Sequence, residues 1–130
     1  MIVLDSSALV EWLLQRPKSA AVDKHLSTVR SVHAPYLIDI EVLHALRQLV
    51  RGGVVSPSRA MEAIEDFRNF RIRRYPHSDF IDRIWSLRDN LTAYDAVYVA
   101  LAEELDAPLV TCDGKMAAAP GNRANILLVP

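Results

Sequence analysis

The 130-residue chain predicts an α/β domain with a mostly parallel central sheet and helices on both of its faces, a three-layer α/β/α arrangement. Three observations carry that prediction. Short apolar runs at Ile2-Val3-Leu4, Leu109-Val110 and Ile126 to Val129 are too brief for helices, and longer segments of helical period separate them. The first two runs lead into an acid, Asp5 directly and Asp113 through Thr111-Cys112. The order strand, acid, helix at the start is the opening unit of a doubly wound fold, in which ligands collect outside the carboxyl ends of the strands. No internal repeat, linker or low-complexity tract divides the chain, so one domain spanning 1–130 is expected, large enough to bury about two-thirds of its unfolded surface.

Composition excludes several classes. Hydrophobic residues make up 51% and charged residues 24%, as in an ordinary soluble protein, and no apolar run is long enough for a bilayer. The start MIVLDSS lacks a basic leader, so a signal peptide is not expected, and the single cysteine, Cys112, agrees with a reducing cytoplasm and reads as a small buried residue. Net charge is −1, so any nucleic-acid binding must come from local patches. Only Lys18, Lys24 and Lys115 of the 15 basic residues are lysines; the rest are arginines, the better bidentate partners of phosphate, although a GC-rich genome gives the same bias.

The elements follow in order. After Asp5, Ser6 or Ser7 can cap a helix whose apolar side is Ala8, Leu9, Leu13 and Leu14, ending at Arg16-Pro17. Ser19 to about Val32 reads as a more polar helix with Val22, Leu26 and Val29 inward. Tyr36 to Arg51 is strongly amphipathic, with Ile38, Val42, Ala45, Leu46, Leu49 and Val50 on one arc. Glu41 borders that arc, and His44, Gln48 and Arg51 continue a polar stripe, so plain solvation accounts for it more readily than chemistry does. Its E-x-x-H with His44 is single where di-iron bundles need two, and His25, His33 and His77 have no zinc-like spacing. Gly52-Gly53 ends this helix, and Ser56-Pro57 opens another that buries Met61, Ile64 and Phe67. From Phe67 to Tyr75, Phe70 and Ile72 alternate with Arg71 and Arg73, ahead of Arg74. That pattern suits an edge strand guarded by charge, or a single-stranded nucleic-acid groove. Asp79 to about Asn90 is read as a helix, and Lys115 to Asn125 as irregular.

The stretch from Leu91 to Asp113 is the part that the rest serves. Thr92 suits an N-cap with Asp95 three residues later, and from Ala96 to Ala102 the helix is apolar all round, so it should be covered on several sides. Ala107-Pro108 is read as its stop, and Asp113 follows the strand as a possible cap of its own. If Asp5, Glu41, Asp95 and Asp113 meet, bare carboxylates repel by about 3 kcal/mol per pair at about 5 Å and an effective dielectric of about 20. A hard divalent cation removes that cost, because Mg²⁺ or Mn²⁺ takes oxygen ligands and keeps several waters.

These residues resemble the PIN domain family, and more narrowly its VapC-type ribonuclease toxins. The motifs are the opening I-V-L-D-S-S-A, the helix bearing Glu41, the block T-A-Y-D-A-V-Y-V-A-L-A-E-E-L and T-C-D, which together span nearly the whole chain in the family's order. The resemblance implies that Asp5, Glu41, Asp95 and Asp113 bind the metal and carry catalysis, with Ser7 and Thr111 as supporting hydroxyls. It implies Mg²⁺-dependent (or Mn²⁺-dependent) cleavage of RNA, an antitoxin partner of the VapB type and a homodimer, in the cytoplasm and without a membrane. Arg71, Arg73 and Arg74 are the candidate RNA contacts. Two other readings stand beside it. A receiver-like Mg²⁺-binding signalling domain would want adjacent acids after the first strand, where this chain has serines, and a catalytically silent interaction module of the same fold would keep the acids for structure alone.

Overall fold

A computed structural model describes all residues, Met1–Pro130. Five short strands form one sheet in the order β3-β2-β1-β4-β5: β1 (Ile2–Leu4), β2 (Val32–Pro35), β3 (Arg73–Tyr75), β4 (Leu109–Thr111) and β5 (Ile126–Leu128). Every neighbouring pair is parallel, so the expectation of a mostly parallel sheet tightens to a wholly parallel one. Receiver domains have the order 2-1-3-4-5, and that alternative falls on topology. Here the strand order reverses between β1 and β4, the place where an open parallel sheet leaves a crevice at its carboxyl edge.

Helices α1 (Ser6–Leu13), α2 (Ser19–Ser27), α3 (Leu37–Arg51) and α4 (Pro57–Asn69) pack on one another, while α5 (Ile81–Ser86) packs on α6 (Ala93–Leu105), which lies along β1, β2 and β4. A short α7 (Gly114–Ala118) follows β4. Buried Val3, Leu4, Leu9, Ile38, Val42, Tyr98, Leu101 and Val110 belong to one continuous apolar core. As its all-round apolar sequence predicts, α6 is buried from Ala96 through Ala102. No helix is long and apolar enough to cross a membrane.

Several boundaries differ from the sequence reading. The polar second helix stops at Ser27, and Val32–Pro35, expected as helix end and loop, is instead β2, fully buried between β1 and β3. Its sequence VHAP has no strand-like alternation; pairing on both sides overrides weak local preference. The stretch 67–75 is not one strand, because α4 continues through Asn69 and only Arg73–Tyr75 joins the sheet, at its edge as expected. Met61 points outward, 71% exposed, since Ala60 and Ala63 take the buried side of α4. The expected helix over 79–90 is a 3-10 turn at Ser78–Phe80 followed by α5, which already ends at Ser86. The stop of α6 comes earlier than Ala107-Pro108: Asp106 adopts the left-handed conformation (φ 49°), and its N–H caps the carbonyls of Ala102 and Glu103.

Candidate metal centre

Asp5 leaves β1 at the centre of the sheet and is the N-cap of α1. It is only 3% exposed, and hydrogen bonds hold both of its carboxylate oxygens. Oδ1 accepts from the Ser7 hydroxyl at 2.6 Å and from the Ala8 N–H at 3.1 Å; Oδ2 accepts from the Thr111 hydroxyl at 2.7 Å. The two hydroxyls are themselves fixed, Ser7 Oγ by the Cys112 N–H at 3.0 Å and Thr111 Oγ1 by the Asp113 N–H at 2.9 Å. The ends of β1 and β4 are thereby laced together across the switch point. Cys112, expected to be buried, is half-buried, and its backbone rather than its thiol serves this lattice.

Asp113 is the cap that its sequence context allowed, and its charge also reaches two other acids. Its Oδ1 accepts from the Lys115 N–H at 2.9 Å and caps α7, and its charge raises the pKa of Asp5 and of Asp95. Thr92 is the N-cap of α6, its hydroxyl accepting from the Asp95 N–H at 3.2 Å, which puts the half-buried Asp95 carboxylate in the first turn. Burial pushes the Asp95 carboxyl above its ordinary value, the charges of Asp113 and Asp5 add to that, and the Thr92 hydroxyl opposes it.

Glu41 does not belong to a solvated stripe. The Tyr98 hydroxyl donates to its Oε1 at 2.7 Å, and the Ser6 hydroxyl donates to the same atom at 3.4 Å. Burial raises its pKa, Tyr98 counters that, and the charges of Asp5 and Asp95 raise it further. Burial in turn pushes the Tyr98 phenol far above the usual tyrosine range, so it stays a hydrogen-bond donor at any physiological pH. For Asp5, burial is again the largest cause of a raised pKa, only partly offset by Ser7, Thr111 and Ala8.

The four acids that the sequence singles out are therefore linked by charge: Asp113 acts on Asp5 and Asp95, and Asp5 and Asp95 act on Glu41. The group is not a closed cage: nowhere do three or more His, Cys, Asp or Glu side chains converge tightly enough to hold an ion by themselves. An all-oxygen donor set of this looseness suits Mg²⁺ or Mn²⁺, which keep part of their water shell, and does not suit Zn²⁺.

Two polar partners escaped the sequence reading. Tyr98 lies three residues from Asp95, and so on its side of α6, within an apolar run that gives no sign of the hydrogen bond its hydroxyl donates to Glu41. Arg74 donates from Nε and Nη2 to the Asp39 carboxylate on α3, the shortest bond 2.7 Å, so Arg74 is engaged within the protein. Arg71 and Arg73 are exposed and take part in no ion pair, and they stand at the opposite end of the sheet from the acids.

An acid-lined switch point on a wholly parallel sheet defines the class. The chain belongs to the PIN domain family, whose pattern matches residues 2–122. Its full-length relatives carry the VapC name. Ribonuclease VapC12 of Mycobacterium tuberculosis is 43% identical over 129 residues, covering 99% of this chain and 99% of the relative. Ribonuclease VapC1 of the same organism is 44% identical over 128 residues, covering 98% and 96%. Among solved structures, PAE2754 from Pyrobaculum aerophilum superposes with a TM-score of 0.73 at 25% identity, over 98% of this chain and 90% of that one.

Proposed function

We propose that this chain is a Mg²⁺- or Mn²⁺-dependent endoribonuclease, the toxin half of a toxin–antitoxin pair, acting in the cytoplasm as one domain over 1–130. The observation that carries the reading is the electrostatic linkage of the acids, in which Asp113 and Asp5 raise the Asp95 carboxyl and Asp5 and Asp95 raise that of Glu41, in a chain whose full-length relatives are called ribonucleases. Asp5, Glu41, Asp95 and Asp113 would hold the ion. When bound, it supplies positive charge for the phosphate and lowers the pKa of a water it carries.

The chain's own residues do the rest. Ser7 and Thr111 orient the Asp5 carboxylate through hydrogen bonds to both of its oxygens. Tyr98 and Ser6 aim Glu41. Hydrolysis needs a water to attack phosphorus in line and a 3′-oxygen to leave opposite it, with one proton removed from the water. Glu41 and Asp95, whose carboxyls burial and neighbouring acids raise above their ordinary values, are more basic than an ordinary surface carboxylate and so better matched to accept that proton.

The partner reading rests on the same site. A cytoplasmic ribonuclease of this kind must be held inactive, and a VapB-type antitoxin placing a basic side chain among the acids would do so. Homodimerisation accompanies it, by the family resemblance. The deciding experiment is cleavage of single-stranded RNA by the purified protein with Mg²⁺, with Mn²⁺ and with EDTA. Cleavage confined to the metal-containing reactions supports the proposal, and undiminished cleavage in EDTA overturns it. Retention of the fold and of antitoxin binding without any cleavage would favour the silent interaction module.

A further inference from the structure

The amino-terminal edge of the sheet, opposite the acids, carries a cavity of about 590 Å³ where β1, β2 and β3 begin. Arg30, Arg71 and Arg73 line it together with Phe70, Asn69 and Ser31, and no carboxylate does. None of the three arginines has an ion-pair partner in the protein; Arg47, Arg51 and Arg88 are unpaired as well but do not line this cavity. All three are exposed. In a chain with a net charge of −1, this concentrates uncompensated positive charge at one place.

The floor of the cavity is built to tolerate that charge. His33 is buried, with its ring nitrogens bonded to the Tyr75 hydroxyl at 2.7 Å and the Ser31 hydroxyl at 2.8 Å. Burial first and the Arg73 charge second lower its pKa, which disfavours a positive ring beside the guanidinium groups. Unpaired guanidinium groups around a concavity recognise phosphate oxygens, and three at once suit a chain of phosphates better than a single one. The strands are three or four residues long, so this edge lies only about 10–15 Å from the carboxylate edge. An RNA strand engaged at the acids can reach it by passing the exposed edge strand β3.

We infer that the cavity lined by Arg30, Arg71 and Arg73 is an anchoring site for the phosphate backbone of single-stranded RNA, separate from the acidic centre and holding substrate nucleotides that flank the cleaved bond. That the RNA is a substrate rests on the proposed nuclease activity; that it binds here does not. The anchor contributes affinity and leaves the chemical step alone.

The test measures binding without metal. Fluorescence anisotropy of a labelled single-stranded RNA of about 20 nucleotides, in EDTA, is read for the wild type and for R30Q/R71Q/R73Q. A third protein, R47Q/R51Q/R88Q, removes the same net charge from exposed arginines elsewhere. The expected result is a Kd raised roughly tenfold or more in the first variant and a log Kd against log salt slope shallower by about 2, since each phosphate contact on a single strand contributes about 0.7. The charge-matched control should stay within about twofold of wild type. Equal weakening in both variants, or in neither, overturns the anchor. With Mg²⁺ present, the cavity variant should show a raised KM and an unchanged kcat on the long RNA, and no change on a trinucleotide confined to the acids. A protein that fails to cleave at all defeats the nuclease reading, while the anisotropy result still decides the anchor by itself.

Discussion

Asp5 and Asp95 are the same residue type at the same kind of place, the first turn or cap of a helix that starts at the carboxyl edge of the sheet. Both have their carboxyls pushed up by burial and by neighbouring acids. They differ in what the fold has invested around them. Asp5 is the acceptor for three protein donors, two of which also tie β4 in place. Asp95 gives its backbone to the cap and leaves its half-buried carboxylate facing other negative charges. One acid is part of the scaffold as well as the site; the other serves the site at the scaffold's expense.

Replacing each in turn should separate the two roles. The largest effect is expected from Asp5→Ala, which leaves the Ser7 and Thr111 hydroxyls and the Ala8 N–H without their acceptor. Cleavage should vanish and stability should fall by about 2 kcal/mol or more, measured by urea unfolding without metal. Full stability in this variant would show that the hydroxyls repartner and that Asp5 is no scaffold. Asp95→Asn should also abolish cleavage, but the metal-free protein should melt no lower than wild type, because a repelled charge has gone. The rise in melting temperature that added Mg²⁺ gives the wild type should disappear with it. An Asp95→Asn protein that cuts RNA at the wild-type rate would reduce Asp95 to a cap residue.

The raised carboxyls give the metal-free protein a pH dependence of definite sign. A carboxyl whose pKa is higher folded than unfolded binds its proton more tightly in the folded state, so stability falls as pH rises from the ordinary carboxylate pKa of about 4 through the raised values, and is flat above them. Melting temperature in EDTA should therefore decline as pH rises above about 4 from this cause, and saturating Mg²⁺ should reverse much of the decline at pH 7. Asp95→Asn should flatten the profile. A steeper one would mean that its charge is compensated in the native protein.

Smaller effects test the hydroxyls of Tyr98 and Thr92. Tyr98→Phe removes the 2.7 Å donor to Glu41 and should cost about 1 kcal/mol of stability. Without the donor, the Glu41 carboxyl rises further, so the acid limb of the pH–rate profile should move to higher pH; an unmoved limb would mean that Glu41 does not titrate in the rate. The smallest change is Thr92→Ala, which should lose about 1 kcal/mol of stability through the cap and leave metal-dependent cleavage intact.

The positions of the acids could be read along the chain because each sits at a boundary where local rules are strong. Asp5 ends an apolar strand, Asp95 is three residues past a threonine cap, and Asp113 follows a strand and opens a turn. Glu41 had no such signal. On a helix, an acid at the edge of an apolar arc looks the same whether it faces water or Tyr98, and only packing of α6 against the sheet brings that phenol within 2.7 Å. Arg74 shows the converse, a residue that reads as free charge until the fold pairs it with Asp39, 35 positions earlier.

By itself, then, the sequence determined the α/β class, the paired helices α3 and α4, the buried α6 with its threonine cap, and the places of Asp5, Asp95 and Asp113, because short-range patterning and capping depend on residues a few positions apart. Tertiary structure alone decided that VHAP becomes the strand β2, that the strands order as β3-β2-β1-β4-β5, that Glu41 is held by Tyr98, and that Arg30 joins Arg71 and Arg73 around one acid-free cavity. Each of these rests on pairings between residues tens of positions apart, whose free energy comes from sheet hydrogen bonds and shared burial that no local window of the chain contains.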